Sequence, residues 1–522
     1  MSTRTAKDTP PAAPGVPGAP TFEYRDGVLC CEEVPLDRIH RAVGPSYVYS
    51  TERLRANARR LLKAFSRARS LVCFALKSNS NPAIVRLFRD LGVGAEVSSS
   101  AEFEIARHCG VKPNQIVSNG NARSETELRQ AATSGAFLVS LDSDEEVQRL
   151  EEEAARLRGA GRLPAPVRAA IRVNPDIDAG VHPDIATGIS DAKFGMPADR
   201  AADWFLHPER TPHLRWLGLH VHIGSQVLDT DPLLRMLQHA TNFMDELDAA
   251  GVRLEVLNLG GGFGVDYDGK GGLALERFAD AASLVANNLG VTLVVEPGRF
   301  LVADACALVG KVLLVKRARR SFAVTELGMN DLLRPSLYDA YHEIVSVKEP
   351  PPSHSPQGRP EVMDVVGPIC ESGDVLARDR RIPPPPAGSL LAVTGAGAYG
   401  YTMASNYNGR PRLAEVLVNG SQARVIRRRE TWEDLIRLAE EEEIDLPGPE
   451  PRVSVRRSDG RAGRSDAPTE AAGDGSLRST LRASIAEGLQ RRKLGGPRPQ
   501  KGGGSPKAAK GRRAGGTGRK KT

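Results

Sequence analysis

Apolar and polar positions along this chain alternate in a repeating way. Short runs rich in Val, Leu, Ile and Ala recur at 70–77, 94–100, 116–120, 137–143, 167–175, 216–224, 255–262 and 292–298. Each has the length of a strand, and helix-length segments separate most of them. The segment 145–158 (EEVQRLEEEAARLR) puts Val147, Leu150 and Ala154 on one face, the spacing of a helix that buries one side. Eight such β-then-α units predict an α/β fold, a closed (β/α)8 barrel over 46–300. From about 307 the period changes. Runs such as ALVGKVLLVK, FAVTEL, EIVSV, VMDVVG and SLLAVTGAG are divided by Pro- and Gly-rich turns. They predict a second, mostly antiparallel β-domain over 301–445. Residues 21–45 carry strand and turn signals before the barrel and are expected to join that β-domain, which alone offers to bury their apolar side chains.

Barrels of this kind carry their chemistry at the C-terminal ends of the strands. Four of these ends hold residues of one chemical type of site. The first strand ends in Lys77. An amine in a poorly solvated barrel mouth has a lowered pKa, which suits a Schiff base. An isolated strand-end lysine is ordinarily a solvated charge, and its neighbours argue otherwise here. The 216–224 run leads through His222 to Ser225. The next ends in Gly260-Gly261-Gly262-Phe263-Gly264, whose backbone N–H groups can approach a phosphate without a Cβ in the way. This is not the spaced dinucleotide-binding pattern. A tight turn would also use such glycines. The last strand ends in Glu296-Pro297-Gly298-Arg299. A carboxylate facing a pyridine nitrogen keeps that ring an electron sink, whereas a lone Glu at a strand end more often forms a surface ion pair. Ser225 and Arg299 add a hydroxyl and a charge for the same phosphate. His222 suits stacking on a ring as well as a place in the core. Together these four ends point to a phosphorylated, carbonyl-bearing cofactor.

The second domain contributes Cys370-Glu371-Ser372-Gly373-Asp374, a polar loop whose thiol suits proton donation. Arg334 precedes Pro335, with Tyr338 close behind, and suits a carboxylate clamp. Tyr399 sits on a Gly-rich turn. The long loop-like stretch after Asn174 has the length of a functional segment rather than a connector.

Charge changes the picture at the C-terminus. The chain carries a net +7, but residues 451–522 alone carry a surplus of +14, so the remainder is at −7. Residues 446–522 are Gly- and Pro-rich, and 451–522 lack aromatics. A disordered tail is expected, either a solvated extension or a non-specific, salt-sensitive tether to nucleic acid or another polyanion. Residues 1–20 are expected to be a disordered tail too. They contain no hydrophobic signal-peptide core, and no apolar run in the chain approaches a membrane span. Six cysteines without CxxC or zinc-ligand spacing suggest reduced thiols, no metal and a cytoplasmic location.

The motifs FALKSN, HIGSQ, GGGFG, EPGR, MNDLLRPSLYDAYHEI, CESGD and GAYGYTMASNYNGRPR occur in that order. In them the chain resembles the fold-type III pyridoxal-phosphate decarboxylases, with their alanine racemase-like barrel and β-domain, and among them the diaminopimelate decarboxylases. The resemblance covers about 22–440. It implies pyridoxal 5'-phosphate on Lys77, His222 against its ring, and Ser225, Gly261, Gly262 and the Pro297-Gly298-Arg299 backbone around its phosphate. It places Glu296 on the ring nitrogen and Tyr399 between cofactor and substrate. Cys370 becomes the proton donor, on a loop supplied by the second subunit of a homodimer. Arg299, Arg334, Tyr338 and Glu371 become the substrate contacts. An arginine with a glutamate matches a distal amino-acid group, so the implied reaction is meso-2,6-diaminopimelate to L-lysine and CO2. Related substrates (a D-amino acid, carboxynorspermidine) and a non-catalytic homologue are the alternatives. Glu96–Glu102 (EVSSSAE) stands where the family usually has Ser-Gly-Gly-Glu, and Thr325–Gly328 (TELG) where it has Asp-Ala-Gly.

Overall fold

The structure, a computed structural model, describes residues 16, 19–189, 192–355 and 357–439. The basic tail, and all of the N-terminal tail except residues 16, 19 and 20, lie outside the described residues.

Eight parallel strands close a barrel: Ser70–Ala75, Gly94–Val97, Ile116–Ser118, Leu138–Leu141, Val167–Val173, Leu214–Val221, Val256–Asn258 and Thr292–Val295. Thr292–Val295 pairs back onto Ser70–Ala75 and leaves no open edge. Inside, Cys73, Val117, Leu138, Ala170, Leu217, Val256 and Val294 form a separate apolar plug. These side chains alternate with those facing the surrounding helices, so strands buried on both faces read as continuous apolar runs.

Several loops leading into helices end on a side chain that caps the helix. Asn81 accepts from the Ala83 N–H, Ser99 from Glu102, Ser143 from Glu146, and Ser124 forms a reciprocal capping box with Glu127. The caps satisfy orphan N–H groups and stop the loops at defined points. The helix expected at 145–158 is Asp144–Gly159, with Val147, Leu150, Ala154 and Leu157 buried.

The second sheet is mixed, with antiparallel pairings in the majority. Its longest strand, Cys306–Arg317, pairs with Ser321–Thr325 near its end and with Leu390–Thr394 along its first half. On the opposite edge of that first half lies Ser46–Ser50, which also pairs with Ala414–Asn419. The sequence reading opened the barrel at 46. This strand belongs to the second sheet instead, because a fully buried SYVYS run suits either sheet and hydrogen-bonding partners decide. Residues 22–35 form three short strands that dock on the same sheet: Leu29 N–H donates to Val347 O at 2.7 Å. Leu29, Cys31 and Leu36 share a core with Val309, Ala392 and Val416. Among the described residues, no helix is long and apolar enough to cross a membrane.

Candidate active site

The first barrel strand runs straight into a short 3-10 turn, Leu76–Ser78, which carries Lys77 at the mouth. The turn is held from the second sheet. Tyr399 N–H donates to Ser78 O at 2.8 Å, and Asn79 donates to Tyr49 Oη at 3.0 Å and Gly397 O at 3.2 Å. Lys77 therefore meets Tyr399 because two domains are tied together at the strand end.

A cavity of about 500 Å³ opens here. It is lined by Lys77, His222, Ser225, Gly261, Gly262, Glu296, Gly298, Arg299, Arg334, Tyr338 and Tyr399. Three expected residues do not line it. Pro297 turns its carbonyl to the Ala75 N–H at 3.1 Å. Cys370 and Glu371 lie exposed on their loop. That loop is itself well braced: Cys370 N–H donates to Asn408 Oδ1 at 2.9 Å, and Ile369 N–H to Asp374 at 2.7 Å.

Lys77 Nζ stands 3.2 Å from Glu96, a carboxylate with no exposed surface. The sequence argument expected a lowered lysine pKa. The surrounding protein does pull it down by desolvation, although 46% of the side chain is open to the cavity, but Glu96, with Tyr399 and Glu296 behind it, outweighs this and the net shift is upward. The unliganded amine is thus held as a cation, and its readiness for chemistry depends on what displaces that pairing.

Glu296 is nearly buried and is flanked by two amides. Asn258 Nδ2 donates to one oxygen at 2.6 Å and Asn119 Nδ2 to the other at 2.9 Å. Burial, then repulsion from Glu96, raises its pKa. A cationic ring nitrogen would reverse that shift by pairing with the carboxylate. Burial, with Arg172 and Lys77 adding, pushes His222 well below the usual imidazole value, so its ring is neutral. Its Nδ1 has no protein partner.

The glycine run has no room for side chains. A Cβ on Gly261 would fall 2.2 Å from Glu296 O, and one on Gly262 would fall 2.3 Å from Gly224 O. Beside the run, Arg299 donates to Ser225 Oγ from Nη2 at 2.9 Å and to Tyr267 Oη at 3.2 Å. The Ser225 hydroxyl, fixed by Arg299, and the bare backbone thus converge as a cradle for a phosphate. With the orphaned His222 nitrogen and the amide-flanked Glu296, the residues present fit pyridoxal phosphate.

Sequence reasoning missed Asn119, Asn258 and Arg172, and it noted Glu96 only as a departure from a motif. Glu96 and Asn258 end or nearly end a barrel strand, and Asn119 follows one, so the strand-end rule applied to every polar residue would have found them.

The family model described as pyridoxal-dependent decarboxylase, pyridoxal binding domain, matches residues 51–303. The chain is 38% identical to diaminopimelate decarboxylase of Aquifex aeolicus over 80% of this chain and 97% of that protein. It is 39% identical to that of Zymomonas mobilis over the same shares. The crystal structure of diaminopimelate decarboxylase from Helicobacter pylori complexed with L-lysine is 35% identical, with a TM-score of 0.72 over 77% of this chain and 99% of that one. A lysine/ornithine decarboxylase from Vibrio vulnificus, at 20% identity and a TM-score of 0.63, shares the fold.

Proposed function

The chain belongs to the fold-type III pyridoxal-dependent decarboxylases, and on that premise we propose that it converts meso-2,6-diaminopimelate to L-lysine and CO2. The observation that carries this is one cavity holding Lys77, Glu296, the glycine cradle and Arg334 together. Pyridoxal 5'-phosphate, when bound, supplies a ring that accepts the electron pair left by departing CO2.

The chain's own residues do the rest. Lys77 would hold the cofactor's carbonyl carbon through its amine. Gly261, Gly262, Ser225 and the Gly298-Arg299 backbone would hold the phosphate. Glu296, fixed by Asn119 and Asn258, keeps the ring nitrogen protonated. The neutral His222 imidazole would offer a flat, uncharged surface to the cofactor ring. Tyr399 closes the site over Lys77 and the substrate.

At the distal end, Arg334 and Arg299 offer charge to a second carboxylate, with Tyr338 beside them, and Glu371, on a loop outside this cavity, would reach the distal ammonium only from a second copy of the chain. A buried arginine left without its carboxylate costs roughly 1–3 kcal/mol, which selects against substrates with only a distal amine. Cys370 hands a proton to the carbon that has lost CO2. Its exposed position on a braced loop outside the cavity supports a homodimer in which this loop enters the site of a second copy. A reducing, cytoplasmic setting accords with six free cysteines, five of them buried.

The test is purified protein with meso-diaminopimelate, reading lysine and CO2, beside Lys77→Ala. Lysine formation that the substitution abolishes supports the reading. Cofactor bound but no lysine formed moves the substrate to a D-amino acid or carboxynorspermidine.

A further inference from the structure

Arg334 is 5% exposed, yet its surroundings commit only part of its guanidinium. Nη1 donates to His342 Nε2 at 2.8 Å. The group lies over the Tyr267 ring, 4.8 Å from its centroid, and its Nε has no partner. His342 has no exposed surface, and its other nitrogen, Nδ1, is 2.7 Å from Thr394 O. A carbonyl oxygen only accepts, so Nδ1 carries the proton. A guanidinium only donates, so Nε2 carries the lone pair. These two neighbours specify a single neutral tautomer. Tyr267 braces the pair: its ring meets the imidazole edge-on at 5.2 Å, and its hydroxyl accepts from Arg299.

We propose that His342 is a positioning residue for substrate selection. By accepting from Nη1, it fixes the orientation in which Arg334 meets the cavity, and so the guanidinium donors offered to the distal carboxylate, while Nε stays buried. A guanidinium free to rotate would offer those donors in that orientation only part of the time, and the affinity for a carboxylate would fall by the same fraction. The proposal rests on the reading of the substrate as one with a distal amino-acid group.

The test uses the holoenzyme and two ligands. L-lysine keeps the distal carboxylate, whereas cadaverine lacks it. Their Kd values are measured by calorimetry for the wild type, His342→Asn and His342→Gln, beside kcat and KM for diaminopimelate. Asn retains a donor for Thr394 O but falls short of Arg334. Gln carries an acceptor oxygen out to the Nε2 position. His342→Asn is expected to raise the L-lysine Kd and the diaminopimelate KM roughly tenfold, the loss of one charge-assisted hydrogen bond. It is expected to leave kcat and the cadaverine Kd within about twofold, and His342→Gln to recover most of the L-lysine affinity. Equal weakening of both ligands, or no change for L-lysine, overturns the proposal. Nitrogen NMR of the wild-type enzyme needs no variant: an Nε2-protonated or doubly protonated His342 overturns it equally. A wild type that makes no lysine, but whose L-lysine affinity still depends on His342, sinks the proposed reaction and sustains this inference.

Discussion

Lys77 Nζ and the buried carboxylate of Glu96 lie 3.2 Å apart at the barrel mouth. Glu96 is not a free acid. It accepts from Ser98 Oγ at 2.9 Å and Asn119 Nδ2 at 3.1 Å, and Asn119 also donates to Glu296. One amide thus joins the acid beside the amine to the acid assigned to the ring nitrogen.

This pairing sets how the unloaded enzyme takes up its cofactor. Attack on an aldehyde needs the neutral amine, and the Lys77 pKa is raised, so uptake accelerates with rising pH throughout the neutral range. In Glu96→Gln the anion is gone and burial, which pulls the pKa down, has fewer opponents. The rise in rate then moves to lower pH. At a fixed neutral pH the fraction of neutral amine, and with it the uptake rate, grows about tenfold for every pH unit by which the profile moves. Stopped-flow absorbance of apoenzyme mixed with pyridoxal phosphate checks this. A slower variant refutes the assignment.

The proposed phosphate cradle has no room for a side chain at 261. Gly261→Ala places a methyl 2.2 Å from Glu296 O, so backbone must move. Cofactor affinity is expected to fall at least about tenfold, equivalent to ~1.4 kcal/mol. Circular dichroism should show an intact barrel, and equilibrium dialysis against pyridoxal phosphate reads the affinity.

Removing the clamp tests substrate selection directly. Arg334→Met is expected to raise KM for diaminopimelate by about 10–100-fold, the loss of a charge-assisted contact worth roughly 1.5–3 kcal/mol. Steady-state kinetics with lysine detection decide it. An unchanged KM would move the distal carboxylate to Arg299 alone.

If the proposed dimer shares its sites, inactive variants complement each other. Lys77→Ala and Cys370→Ala are each expected to lose nearly all turnover. Subunits exchanged at equal amounts form heterodimers as about half of the population, each with one intact site, so about a quarter of wild-type activity returns. No recovery after verified exchange places both residues in the site of one subunit.

Glu415 holds the two domains together at the Lys77 turn. It has no exposed surface and accepts from Tyr49 Oη at 2.9 Å, Asn81 Nδ2 at 2.7 Å and Arg427 Nε at 2.6 Å. Glu415→Ala strands three donors, one of them a cation, and is expected to cost about 3 kcal/mol of stability. The urea midpoint of the apoenzyme measures it.

Local pattern alone carried much of this protein. The apolar period announced eight strands and their helices, and strand ends drew attention to Lys77, His222, the glycine run and Glu296. Those features are legible because periodicity and strand-end position are properties of neighbouring residues. Ser46–Ser50 was not legible in the same way: its apolar run satisfies either sheet, and the choice lies with partners at 306–309 and 414–418. The Lys77 pKa went the opposite way from the sequence argument because burial is implied by an apolar strand, but the acid that overrides it comes from the next strand of the barrel. His342 facing Arg334, and Glu415 facing Asn81, likewise belong to tertiary structure. A side chain's period says which way it points, and only the closed fold says what it meets there.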